Sequence, residues 1–123
     1  MPHCILEYSA NVTDRPDLHA VLQAINDVLV TTGLFDPGDI KSRAVAHDTV
    51  VIGDGAADRT FVTVDVQMLG GKSDEVKAQL ADSVLAVLER AYPETLARTR
   101  CSLTVQISDI HRASYRRIRT YED

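Results

Sequence analysis

Aromatic side chains are scarce in this sequence, with four Tyr and two Phe making up 5% of the chain. Proteins that hold unpaired bases rely on aromatic platforms for stacking, so that class is disfavoured. Arg59-Thr60-Phe61-Val62-Thr63-Val64 touches the pattern of an RNA-recognition strand but lacks most of the rings. Positive charge is in deficit as well: 13 Lys and Arg face 18 Asp and Glu, for a net charge of −5. Nucleic-acid affinity rests on phosphate neutralisation, so no such partner is expected. No apolar run approaches the ~18 residues that would span a bilayer, and no export signal opens the chain. Neither a membrane partner nor secretion is expected. Only two cysteines occur, Cys4 and Cys101, without metal or redox spacing. They read as reduced, buried small hydrophobes of a cytoplasmic protein. His3, His19, His47 and His111 likewise show no metal-ligand spacing, so no metal is expected. Gly70-Gly71-Lys72-Ser73 falls short of a phosphate-binding P-loop, because Val66 stands where its first glycine belongs.

At 123 residues and 45% hydrophobic content, the chain is expected to form one domain over residues 1–123 that benefits from self-association. It reads as two similar halves, about 2–52 and 59–110, each strand–helix–strand, followed by a basic tail. In the first half, Cys4, Leu6 and Tyr8 alternate with His3, Ile5 and Glu7 at period two. Leu18, Val21, Leu22, Ile25, Val28 and Leu29 then recur at helical spacing, and Gly33 suits a left-handed helix cap. Residues 40–47 read as the second strand, with 50–52 a short extension before the Gly53-Asp54-Gly55 turn. In the second half, residues 59–69 form a long strand, and Ser73 is positioned to cap a helix whose apolar face includes Val76, Leu80, Val84, Val87 and Leu88. Pro93 breaks that helix, Leu96 sits on a final helical turn, and residues 102–110 make the last strand. The expected fold class is α/β: two βαβ units forming a four-stranded mixed sheet with two helices on one face. Apolar residues on the other face and two open edges point toward self-association. This order fits both a ferredoxin-like sheet and the tautomerase fold, and periodicity alone does not separate them.

One further feature is chemical. Met1 is followed by Pro2, and bacterial aminopeptidases remove an initiator Met ahead of so small a residue. Processing would leave a secondary amine at the chain start, with an ordinary α-amino pKa of about 7.7–8.0. A base works best when its pKa lies near the operating pH, so Pro2 is a candidate general base. The plain alternative is that Pro2 merely opens a strand, where a missing N–H costs nothing.

The opening Pro2-His3-Cys4-Ile5-Leu6-Glu7-Tyr8-Ser9-Ala10-Asn11 resembles the amino terminus of 5-carboxymethyl-2-hydroxymuconate isomerases, members of the tautomerase superfamily. The likeness continues in Thr32-Gly33-Leu34-Phe35, Ile40-Lys41-Ser42-Arg43, Asp54-Gly55, Phe61-Val62, Gly71-Lys72-Ser73 and Ile110-His111. The resemblance implies a cofactor-free isomerase, usually trimeric, that ketonises a dienol acid in bacterial breakdown of aromatic acids through homoprotocatechuate. It implies that Pro2 takes the proton from a 2-hydroxyl and returns it to carbon five. Cations would bind the carboxylates of the small anionic dienol substrate and lower the pKa of the amine. The candidates are Lys41 and Arg43, on one strand face at spacing two, and Lys72 at a helix start. His3 is a candidate to orient substrate or support Pro2. Where the family carries arginine, at the positions matching Lys41 and Lys72, this chain has lysine, a point charge rather than a bidentate fork. Glu7 reads as a structural carboxylate paired with an arginine. The tail, with Arg112, Arg116, Arg117 and Arg119, reads as packing on a neighbouring subunit or staying solvated, with a further carboxylate clamp, across a subunit boundary, as the alternative. Two alternatives stand beside this reading: a tautomerase of smaller enol acids, and a ferredoxin-like binding module without chemistry.

Overall fold

A computed structural model describes residues 1–122. The elements are β1 (His3–Ser9), α1 (Leu18–Thr31), β2 (Lys41–His47), β3 (Arg59–Leu69), α2 (Asp74–Ala91), α3 (Pro93–Arg98) and β4 (Arg100–Ile110). Short 3₁₀ turns occupy Pro37–Asp39 and Arg112–Ser114.

The sheet order is β2-β1-β3-β4. β1 pairs β2 in parallel, β3 pairs β4 in parallel, and the two halves meet through the antiparallel β1–β3 pair. A ferredoxin-like sheet inserts a strand between the two parallel strands of each βαβ unit. Here none intervenes, so the sheet is that of the tautomerase fold.

Local chemistry explains the helices. Asp17 caps α1, its carboxylate accepting from the Ala20 N–H, and Gly33 leaves the helix at φ +72°. Ser73 Oγ accepts from the Val76 N–H at 3.2 Å, and Asp74 and Glu75 complement the first turn of α2. Pro93 cannot continue α2 but opens α3, where a missing N–H is harmless. The carboxylate of Asp14 caps this last helix from afar, accepting from the Thr95 N–H and Oγ1, both at 2.7 Å.

Every second residue of the central strands points at the helices: Cys4 and Leu6 from β1, then Val62, Val64, Val66 and Met68 from β3. They meet Val21, Ile25 and Leu29 of α1 and Leu80, Val84, Val87 and Leu88 of α2 in one continuous core. Cys4 is fully buried, and that burial pushes its thiol up to about 11; Cys101 is only half-buried.

Three expectations change. Residues 50–52 form no strand. β1 ends at Ser9, its ladder closing on the Ala10 N–H to His47 carbonyl bond, so the segment has no neighbour to pair with. The last strand starts at Arg100, two residues early, because the Arg100 N–H reaches the Asp58 carbonyl ahead of β3. The helix-free face is more polar than expected. Beside Ile5, Val45 and Phe61 it carries Thr63–Thr104, Ser108–Asp65 and Gln67–Asp65 hydrogen bonds. Glu7 also stands there, bonded to His47 Nε2 at 3.0 Å rather than to an arginine. No helix among the described residues is long and apolar enough to cross a membrane.

Candidate active site at the meeting of the chain ends

The registers bring the chemistry-bearing residues to one end of the sheet. His3 lies beside Lys41 across the parallel pair and beside Gln67 across the antiparallel one, while Leu69 pairs with Ile110. The starts of β1 and β2 and the ends of β3 and β4 therefore share an edge. Residues 1–2, the turn at 70–72 and the tail after Ile110 all emerge there. Pro2 is buried, and its carbonyl accepts from the Lys41 N–H at 3.1 Å, which fixes the chain start against β2.

Asp39 is the hub of this end. It closes the Pro37–Asp39 turn and is buried. Arg117 Nη1 donates to both of its carboxylate oxygens at 2.7 Å, and Arg119 Nη1 donates to Oδ1 at 2.8 Å. Lys41 Nζ donates to the Asp39 carbonyl at 2.9 Å, and the Met1 amine lies 3.8 Å from Oδ2. Burial alone would raise the pKa of this carboxyl. The Arg117 hydrogen bond, the terminal amine and the two guanidinium charges outweigh it and hold Asp39 below the usual carboxylate value. The Tyr121 hydroxyl donates to the Gly38 carbonyl at 2.6 Å, and the Arg119 guanidinium rests 5.1 Å from the centre of the Tyr121 ring.

These contacts fold the tail over the chain start. His3, Lys41 and residues 115–121 enclose an open cleft of about 480 Å³. Within its own chain the tail packs against Gly38 and Asp39. The Met1 amine is lowered from its ordinary value, by burial first; Lys41, Arg117 and Arg119 push the same way and Asp39 opposes them.

His3 is lowered too, by burial and then by Arg43, Lys41 and the terminal amine. Arg43 Nη1 stands 3.0 Å from His3 Nδ1. A guanidinium only donates, so Nδ1 accepts and the neutral ring carries its proton on Nε2. Among the described residues no three His, Cys, Asp or Glu side chains converge as a metal site.

The family model for 5-carboxymethyl-2-hydroxymuconate isomerase matches residues 2–120. The chain belongs to the 5-carboxymethyl-2-hydroxymuconate isomerase family. Within that family it is 27% identical over 111 residues to the 5-carboxymethyl-2-hydroxymuconate Delta-isomerase of Escherichia coli, covering 90% of this chain and 88% of that one. The crystal structure of a 5-carboxymethyl-2-hydroxymuconate isomerase from Deinococcus radiodurans R1 superimposes with a TM-score of 0.89 at 29% identity, covering 97% of this chain and 90% of that chain. A fused 4-OT wild-type symmetric trimer shares the fold at a TM-score of 0.72 and 17% identity, with 90% of this chain and 87% of that one aligned. The chain is thus a member of an isomerase family in the tautomerase superfamily.

Against that family background, the residues singled out from sequence divide into two groups. His3 and Lys41 border the cleft, and Pro2 is buried beside them at the start of β1. Arg43 shares the Lys41 face of β2, but its guanidinium is engaged with His3 and does not line the cleft. Lys72 stands at the same end of the sheet, also outside the lining. Asp39 was missed. A carboxylate in a Pro-Gly-Asp turn reads as solvated, and its arginine partners lie 78 and 80 residues away. The one signal was four arginines crowded into the tail of an acidic chain.

Proposed function

We propose that this family member catalyses enol–keto tautomerisation of 5-carboxymethyl-2-hydroxymuconate without a cofactor. Pro2, exposed as the chain terminus once Met1 is removed, is the general base and acid. The observation that carries the reading is that Pro2 is buried at the chain start, next to a cleft rimmed by cations. Cations beside the freed Pro2 amine favour its unprotonated form, which takes the 2-hydroxyl proton directly. The same nitrogen, now protonated, returns the proton to carbon five. Lys41 offsets the charge that builds on the 2-oxygen, and neutral His3, oriented by Arg43, offers an Nε2–H donor to substrate oxygen. Lys72 completes the cationic surroundings of a substrate with three carboxylates. A homotrimer is the proposed assembly. It is supported by the open β2 and β4 edges and the symmetric trimer among the fold relatives.

Ultraviolet-monitored ketonisation tests this reading, with wild type and Pro2→Ala compared after mass spectrometry has verified loss of Met1. The variant is expected to lose about 10²-fold or more in rate, the scale of a positioned base. A folded, correctly processed wild type without turnover rejects the substrate.

A further inference from the structure

Lys41, Arg117 and Arg119 all converge on Asp39. The two tail arginines differ in readiness to receive a further anion. Arg119 is fixed on several sides: it bonds Asp39, lies 3.9 Å from Asp36 and packs on Tyr121, with its side chain 18% exposed. Arg117 is 39% exposed and holds Asp39 through Nη1 alone. Its Nε and Nη2 edge is not committed to that carboxylate. Lys41, 41% exposed, approaches the same Asp39 Oδ1 to 3.9 Å. Arg117 and Lys41 both border the cleft.

Building on the function proposed above, we propose that Arg117, held in position by Asp39, forms with Lys41 the subsite for a substrate carboxylate remote from the reacting enol. Arg117 is then a specificity-determining residue and Asp39 a positioning residue. The pairing also gives meaning to the lysine at position 41. A lysine supplies charge without a planar fork, and Arg117 brings that fork in from the tail. Asp39 beneath the pair keeps the two cations together, since without it they repel each other across the cleft.

Binding of two matched probes tests this apart from turnover. trans,trans-Muconate is a conjugated dicarboxylate, and sorbate is its monocarboxylate counterpart. Titration calorimetry on the processed, assembled protein is expected to show muconate bound more tightly than sorbate. Arg117→Gln should weaken muconate by about 10- to 100-fold, the scale of a charge-assisted bidentate contact, and leave sorbate within about twofold. Arg117→Lys should restore part of the loss, and Asp39→Asn should reproduce it while the core stays folded by circular dichroism. Equal losses for both probes in Arg117→Gln, or no preference for muconate in wild type, overturns the assignment. Muconate preference that depends on Arg117, in a protein that leaves 5-carboxymethyl-2-hydroxymuconate unchanged, keeps the subsite and removes only the proposed reaction.

Discussion

Thr95→Val exchanges a buried hydroxyl for a methyl of nearly the same volume. The Thr95 hydroxyl accepts from the N–H groups of Thr13 and Asp14, both at 3.1 Å, and donates to Asp14 Oδ2 at 2.7 Å. It therefore ties the loop before α1 to the first turn of α3. Valine leaves two backbone donors without their acceptor and removes one hydrogen bond to a carboxylate. An unsatisfied buried donor costs about 1–3 kcal/mol, and a bond to a charged group contributes about 1.5–3 kcal/mol. The loop is partly open to solvent and Asp14 keeps its bond to the Thr95 N–H, so these values do not add in full. The expected loss is about 2–4 kcal/mol, a large share of the 5–15 kcal/mol typical of a domain. Urea unfolding at fixed protein concentration reads it as a lower midpoint with unchanged slope. Thr95→Ser keeps the hydroxyl and should lose no more than about 1 kcal/mol, the value of one buried methyl group. A Thr95→Val protein within about 0.5 kcal/mol of wild type would refute the reasoning, because the hub would then contribute no more than an ordinary surface contact.

Tyr92→Phe should move the other way. Tyr92 is fully buried and its hydroxyl has no partner among the described residues; burial pushes its ionisation up to about 12. Removing that oxygen should stabilise the fold by about 1 kcal/mol or more, and a lower unfolding midpoint would contradict this account. Acid should weaken the fold in two stages. His3 is lowered in the folded state, so the unfolded chain binds the extra proton first and stability falls as pH drops below the ordinary value of 6.5. Asp39 is lowered too, and its contribution disappears only as pH falls below 3.8 toward its folded value. Unfolding midpoints measured against pH should lose the upper stage in His3→Gln and part of the lower one in Asp39→Asn.

Most of the scaffold was legible because its signals are local. The alternation from Arg59 to Leu69, the Ser73 cap and the Gly33 exit depend on residues a few positions apart, and each element appears where those residues put it. The strand order needed more, since the same alternation serves two sheets, and only the direct β1–β2 pairing decides between them. Residues 50–52 have strand composition without a strand, because pairing requires a neighbour and β1 has already ended. At the candidate site, the resemblance singled out Pro2, His3 and Lys41, and the β1–β2 register places the three at one end of the sheet. Asp39, Asp14 and Thr95 were not legible, as their roles arise from contacts about 80 residues apart that no window of sequence contains.

The meeting of residue 1 with residues 117–121 at Asp39 bears on how such a protein is handled and how it can evolve. An affinity tag or fusion partner placed ahead of Pro2 turns the proposed catalytic amine back into an amide. One joined just after Tyr121 pulls on the strap that closes the cleft. The open turn around Gly53 to Gly55, at the far end of β3, is the place where added sequence leaves both ends undisturbed. Gene fusions that retain the proposed chemistry should carry their additions there, or release a fresh proline by cleavage.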